Sequence, residues 1–343
     1  MLEHGGKLIQ AARDYGIPVC DWLDLSTGLN PHPWPVKLVP LDAWSHLPDD
    51  DDGLALAASK YYKGEHVLPV AGSQAAIQIL PQLSDAKSRV AILEPAYAEH
   101  AHAWRAHGFN VTPLNTKDID KAIDVHDVIL LVNPNNPTGE TFSVEQCIRW
   151  HKKLADKGGR LIIDEAFIDC TPECSLVPFA HQEGLVILRS LGKFFGLAGA
   201  RVGFVFAEQN LLTQLAERLG PWPISGPSRC IAKLALSDTQ WQLSTREQLM
   251  QQSLRLQTLL NRHHLTPSGS SSLFQWLKTN NAKQVHQFLA QQGILTRLFE
   301  QPMSIRFGLP AVEPQWMRLE LALKSLNKEA NITNTVSTCD AVQ

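Results

Sequence analysis

The sequence lacks a long hydrophobic run, is poor in cysteine and carries no excess of positive charge. No stretch of about 18 residues is apolar throughout, which argues against a membrane span. The first 13 residues hold no apolar core of signal-peptide length. A formal net charge of −3 also argues against a nucleic-acid-binding protein, which would need a basic surface. Six scattered cysteines in 343 residues predict free thiols rather than a disulfide framework, and a cytoplasmic chain.

Short apolar strands and helices alternate along most of the chain. Strands are expected at residues 90–93, 109–112, 128–132, 161–163, 185–189 and 202–206. Helices are expected at residues 54–61, 73–83, 97–107 and 144–157. This order predicts an α/β protein with a mostly parallel sheet covered on both faces.

The pattern changes at both ends of this region. We expect an N-terminal arm at 1–35, a large domain at 36–225, a smaller C-terminal α+β domain at 226–330 and a tail at 331–343. A run of four aspartates at 49–52 is typical of a solvated loop, and a metal site is the weaker alternative.

A long amphipathic helix is expected at 240–261, in the smaller domain. Leu243, Met250, Leu254 and Leu259 are among its apolar positions. A last helix is expected at 314–326, and the polar residues after it should fray.

Two glycine-containing turns follow predicted strands. Gly72, Ser73 and Gln74 open a helix, where backbone N–H groups favour an anion, although a simple helix cap by Ser73 is the alternative. The second turn has the sequence Asn133-Pro134-Asn135-Asn136-Pro137-Thr138-Gly139. Ligands of open α/β sheets bind at such strand ends.

Charged residues follow two further predicted strands. Asp164 ends a buried strand and needs a cationic partner to stay ionised, for which a pyridinium nitrogen is suitable. Ser190, Lys193 and Arg201 follow the next strand. Ser190 and Arg201 can bind phosphate oxygens, and Lys193 can attack an aldehyde once its pKa is lowered.

These motifs, taken in order, resemble those of the fold-type I pyridoxal phosphate (PLP) enzymes of the aspartate aminotransferase superfamily. The resemblance covers nearly the whole chain and implies a PLP cofactor and a homodimer. It implies that Lys193 holds PLP as a Schiff base and that Asp164 pairs with the ring nitrogen. It also implies that Asn136 bonds the ring hydroxyl and that Tyr97 stacks on the ring. The implied phosphate ligands are Gly72, Ser73, Gln74, Ser190 and Arg201.

The N-terminal segment and the later Arg306-Phe307-Gly308-Leu309-Pro310 are similar to a narrower group. His4-Gly5-Gly6 and the later Asp24-Leu25-Ser26-Thr27-Gly28-Leu29-Asn30-Pro31 look like the opening of the L-threonine O-3-phosphate decarboxylases of the cobalamin pathway. In that reading the arm is a substrate lid, His4, Gly5, Asn30 and Asn136 contact a phosphorylated amino acid, and Arg306 clamps its carboxylate. The alternative is a histidinol-phosphate aminotransferase or a related aminotransferase. A cofactor-free binding module is a further rival, which the retention of Lys193, Asp164 and Arg306 disfavours.

Three positions depart from the superfamily pattern. Gly192 stands where many relatives have serine or threonine, and Phe167 where the histidinol-phosphate enzymes usually have tyrosine. Leu47 replaces a tyrosine that typically reaches the cofactor phosphate of the neighbouring subunit. Tyr61 and Tyr62 are candidates to compensate for it.

Overall fold

The computed structural model describes the backbone of residues 5–339 and the side chains of residues 5–327. The helices are α1 (Leu8–Tyr15), α2 (Asp42–Ser45), α3 (Leu54–Tyr62), α4 (Ser73–Ile79), α5 (Glu99–Ala106), α6 (Ile119–Val125), α7 (Val144–Ala155), α8 (Gln209–Leu219), α9 (Gly226–Ser237), α10 (Thr239–Arg262), α11 (Ala282–Gln291) and α12 (Glu313–Cys339). The strands are β1 (Leu23–Asp24), β2 (Val67–Val70), β3 (Val90–Leu93), β4 (Val111–Leu114), β5 (Val128–Val132), β6 (Arg160–Asp164), β7 (Leu185–Ser190), β8 (Gly203–Phe206), β9 (Gly269–Ser271), β10 (Phe274–Lys278), β11 (Ile294–Leu295), β12 (Arg297–Glu300) and β13 (Met303–Gly308).

The chain divides into two compact units, 33–248 and 1–32 with 249–343. This division differs from the expected one in two places. α9 lies in the first unit because it packs on α3 and because Arg229 binds Asp50 and Asp52. The segment before residue 33 joins the second unit because β1 pairs with β11 in parallel. The aspartate run is thus tied to a helix through Arg229, with Asp52 half-buried and Asp50 exposed.

The first unit is built on a seven-stranded sheet in the order β2-β8-β7-β6-β5-β3-β4. β3, β4, β5, β6 and β7 pair in parallel, and β8 runs antiparallel to both its neighbours. β3, β5 and β7 are buried along their whole length, as expected of a sheet covered on both faces. The predicted fold class is confirmed. β4 begins two residues later than expected.

The second unit contains a four-stranded antiparallel sheet in the order β12-β13-β10-β9, together with α11 and the small β1–β11 pair. α12 continues to Cys339, well past its expected end. Among the described residues, the helices are too short or too polar to cross a lipid bilayer.

The long helix α10 is present, but its expected apolar face is largely wrong. Leu243, Met250 and Leu254 are exposed, whereas Leu259 is buried. The buried positions include polar side chains, which find partners: Gln242 donates hydrogen bonds to the carbonyls of Ala235 and Leu236. Hydropathy alone therefore did not predict which face of this helix is buried.

A fully buried ion cluster lies directly behind the carboxyl ends of β6 and β7. Arg189 donates to Glu165 at 3.0 Å and to Asp169 at 2.8 Å. Ser175 donates to Glu165, and Tyr61 donates to Asp169 at 3.0 Å. Burial alone would lower the pKa of Arg189, but Asp169 and Glu165 raise it, so the guanidinium keeps its charge. The cluster fixes the residues next to Asp164 and Ser190.

Replacing Arg189 with methionine should therefore destabilise the chain strongly. The substitution leaves two buried carboxylates without their shared cation, which costs about 3–5 kcal/mol. Guanidinium denaturation measures the change in the free energy of unfolding. Arg89→Met is the matched control, because Arg89 pairs with Asp127 on the surface. Equal stability losses in the two variants would show that the cluster does not hold the sheet together.

Candidate active site

One cavity in the first unit gathers the residues that the sequence motifs singled out. It opens where β5, β6 and β7 end and β8 begins, because β8 runs in the opposite direction to its neighbours. Ser190, Gly203 and Val70 are aligned in register across β7, β8 and β2. The lining residues are Gly72, Ser73, Gln74, Tyr97, Val132, Asn136, Asp164, Ala166, Phe167, Ser190, Lys193 and Arg201. All nine predicted cofactor ligands thus share this cavity.

One end of the cavity combines a guanidinium with a glycine turn. Gly72 has a φ of 72°, and a Cβ atom there would lie 2.7 Å from a terminal nitrogen of Arg201. Gly203 is similarly close, since its Cβ would lie 2.4 Å from the backbone nitrogen of Ser73. Glycine at both positions lets the guanidinium and the start of α4 approach each other. This end can bind an anion such as a phosphate group.

The same cavity is lined by a buried carboxylate. Asp164 is 4% exposed and accepts a hydrogen bond from the backbone of Ala166 at 3.0 Å. Nε2 of His100 lies 2.9 Å from Oδ2 of Asp164, and His100 is itself 1% exposed. These contacts fix the carboxylate at the end of β6. A cationic ring nitrogen would be a suitable partner for it.

His100 is not among the residues that the sequence motifs predict for the site. A lone histidine on a helix does not indicate which strand end it will contact. The available signal was its position three residues after Tyr97, which places both side chains on one face of the helical turn. In the structure the two rings pack edge to face, with centroids 5.9 Å apart.

Lys193 lies in the turn after β7, half-buried, with its amine 5.5 Å from the centroid of the Phe167 ring. The turn is tight at the preceding residue. A Cβ atom on Gly192 would lie 3.2 Å from the Cα atom of Ala198, so a larger residue here requires a small shift of the neighbouring backbone. The backbone N–H of Gly192 instead donates to Oγ of Ser190 at 3.2 Å.

Neither candidate tyrosine compensates for Leu47 in this cavity. Tyr61 donates to Asp169 and Tyr62 stacks on Arg189, so both belong to the ion cluster behind the sheet. Leu47 itself is exposed. The tyrosine that lines the cavity is Tyr97, and burial together with the nearby charges of Glu99 and Asp164 raises its pKa to about 12.

Two of the predicted substrate residues, Gly5 and Arg306, meet at the carbonyl of Ser26. Arg306 donates to this oxygen at 3.0 Å, and a Cβ atom on Gly5 would lie 2.4 Å from it. Gly5 is therefore required where the chain passes close to Ser26. Asn30 is buried, and its side-chain oxygen accepts from the backbone N–H of His32 at 2.8 Å. His4 lies outside the described residues.

Arg306 carries a costly buried charge. Burial, with a contribution from the charge of Arg297, lowers the pKa of Arg306 to about 9. The guanidinium therefore remains charged at neutral pH, and a carboxylate ligand would offset the cost of its burial. Its ring contact with Phe274, 5.0 Å from the centroid, helps to fix its plane.

Comparison with known proteins shows the family of this chain. The family described as Aminotransferase class I and II matches residues 53–330. A threonine-phosphate decarboxylase of Pseudomonas aeruginosa is 52% identical over 331 residues, which cover 96% of this chain and all of that protein.

Solved structures show the same fold. A histidinol-phosphate aminotransferase from Sinorhizobium meliloti, solved in complex with pyridoxal-5'-phosphate, matches with a TM-score of 0.82 and 17% identity, covering 96% of this chain and 99% of that one. An L-threonine-O-3-phosphate decarboxylase from Porphyromonas gingivalis matches with a TM-score of 0.75 and 22% identity, and the match covers 89% of this chain and 99% of that one. At these identities the two structures support the fold alone. The family model and the Pseudomonas relative decide the family: the chain belongs to the aminotransferase class I and II family, within which it groups with the threonine-phosphate decarboxylases.

Proposed function

We propose that this protein is a PLP-dependent decarboxylase that converts L-threonine O-3-phosphate to (R)-1-amino-2-propanol O-2-phosphate in cobalamin biosynthesis. The observation that carries the proposal is the 52% identity, over nearly the full length of both chains, to a protein named threonine-phosphate decarboxylase. The cavity supports it, because it joins an amine, a carboxylate and a guanidinium. The arm and Arg306 add groups suited to a phosphorylated amino acid.

The residues of the cavity fit PLP. Arg201 and the Gly72 turn form an anion-binding end, and Asp164 offers a fixed carboxylate for a protonated ring nitrogen. Lys193 supplies the amine that would hold the aldehyde carbon, and Asn136 supplies a polar side chain to the same cavity. When bound, PLP would supply an electron sink for the pair released when a bond to Cα breaks.

The chain's own groups would bind the substrate and move one proton. Arg306 would bind the carboxylate of the amino acid, while the substrate phosphate is held elsewhere and orients the molecule. When the bond between Cα and the carboxylate breaks, CO₂ leaves and Cα must gain a proton. Lys193 is the acid that we assign to this transfer, since its amine lies in the cavity beside Phe167.

A product assay with O-phospho-L-threonine tests the function. The purified protein should be yellow and should release CO₂ and aminopropanol phosphate. Lys193→Ala should lose the visible absorbance of the bound cofactor and at least about a hundredfold in kcat. Formation of a keto acid dependent on 2-oxoglutarate, without CO₂, would make the protein a transaminase instead.

The two ends of the substrate should depend on different residues. We expect Arg306→Met to weaken binding of both O-phosphothreonine and threonine by about a hundredfold, because it removes a charged partner of the carboxylate. His4→Ala should weaken binding of the phosphorylated ligand only. Changes in cofactor absorbance measure both affinities. Aminopropanol phosphate, which lacks a carboxylate, is the control ligand. If Arg306→Met weakened it equally, Arg306 would not be the carboxylate-binding residue.

We also propose that the protein is a homodimer. Exposed apolar side chains are concentrated in and beside the segment before α3: Val36, Leu38, Leu41, Trp44, Leu47 and Leu56. Leu38 is 96% exposed, an unfavourable state for leucine in water. A second copy of this chain would cover this face.

Sedimentation equilibrium tests the dimer. The expected mass is twice the chain mass of 38.1 kDa. The double substitution Leu38→Asp with Trp44→Asp should give the single-chain mass, because two charges would lie in an apolar interface. Leu254→Asp, at another exposed leucine, on α10, is the control and should keep the double mass. A single-chain mass for the unaltered protein would contradict the proposal.

A further inference from the structure

A chain of hydrogen bonds ends on the hydroxyl of Tyr97. The hydroxyl donates to Oε1 of Gln74 at 3.2 Å, and Nε2 of Gln74 donates to Glu99 at 2.8 Å. Gln78, one helical turn after Gln74 in α4, donates to the same carboxylate oxygen at 3.3 Å. The three partners of the relay, Tyr97, Gln74 and Glu99, thus connect the first turns of α4 and α5 beside the cavity.

The charge of Glu99 determines the direction of every bond in this relay. A carboxylate only accepts hydrogen bonds, so the amide of Gln74 must turn its NH₂ group towards Glu99. Its carbonyl oxygen then faces Tyr97, and the phenol must be the donor. A neutral glutamine at 99 could accept or donate, and the orientation of Gln74 would no longer be determined.

The relay also explains what the side chain of Gln74 does. Gln74 follows the glycine turn and lines the cavity, a position suited to an anion ligand. Its carbonyl oxygen accepts a hydrogen bond from Tyr97, and its NH₂ group donates one to Glu99. The tyrosine ring also packs at nearly a right angle to the ring of His100, which binds Asp164. The ring is therefore held at two places.

We propose that Glu99 is a positioning residue for Tyr97: acting through the amide of Gln74, it makes the phenol a donor and holds the aromatic ring as one wall of the cofactor cavity. The part of this inference that concerns PLP rests on the function proposed above. The raised pKa of Tyr97 agrees with a phenol kept neutral by burial and by the charges of Glu99 and Asp164.

The first test follows the titration of Tyr97 in the cofactor-free chain. The sequence has only four tyrosines, so ¹³Cζ-labelled tyrosine gives few NMR signals, and Tyr97→Phe identifies the relevant one. Glu99→Gln should lower the pKa of Tyr97 by about one unit, because it removes a nearby negative charge. Gln78→Ala, which loses a contact to Glu99 but none to Tyr97, should leave the pKa unchanged. An unchanged pKa in Glu99→Gln would overturn the proposal.

The second test separates the relay from a direct effect of charge. Glu99→Gln should raise the Kd for added PLP about fivefold, as expected for one lost hydrogen bond. The same substitution should change Kd less than about twofold in chains that already carry Gln74→Met or Tyr97→Phe. A fivefold effect that persists with Gln74→Met would refute the relay. Failure of the unaltered chain to bind PLP would instead refute the proposed function, while the tyrosine titration would still test the relay.

Discussion

The pleat of two neighbouring strands is the constraint on which the site depends. Successive side chains at the ends of β6 and β7 point to opposite faces, so Asp164 and Ser190 face the cavity while Glu165 and Arg189 face away from it. Glu165 and Arg189, which face away, form a buried ion pair at 3.0 Å. Because this ion pair joins β7 to the residue directly after β6, it fixes the backbone from which Asp164 and Ser190 project into the cavity.

The antiparallel strand β8 supplies the other half of the arrangement. A parallel strand at this place would begin at the far edge of the sheet, and Arg201 would lie far from Asp164. Running the other way, β8 begins at the cavity, and its first residue is in register with Ser190. The close backbone approach at Gly72 and Gly203 then brings Arg201 against the turn before α4. The antiparallel direction of β8 and the two glycines, Gly72 and Gly203, together place Arg201 beside the turn before α4, where an anion can bind.

The strand ends and the residues beside them could be predicted from the sequence because most of the motifs follow a buried apolar run. Asp164 and Lys193, which line one cavity, were identified in this way, whereas Arg201 lies two residues before β8. Partners that come from another element were not found: His100 reaches Asp164 from α5, and Arg189 joins Glu165 behind the sheet. Such contacts depend on packing between elements, which local pattern does not encode. The same limit explains the exposed Leu243 on α10 and the unexpected unit boundary, which follows from the pairing of β1 with β11.

The tight turn before Lys193 also limits how this sequence can change. A side chain at Gly192 would meet the backbone of Ala198, not a movable side-chain end. A serine or threonine at 192 therefore requires the backbone at Ala198 to give by a few tenths of an ångström, and Lys193 lies in the same turn. A residue with a Cβ atom at 192 is thus tolerated only where the backbone at Ala198 can move, which couples these two positions when the sequence changes.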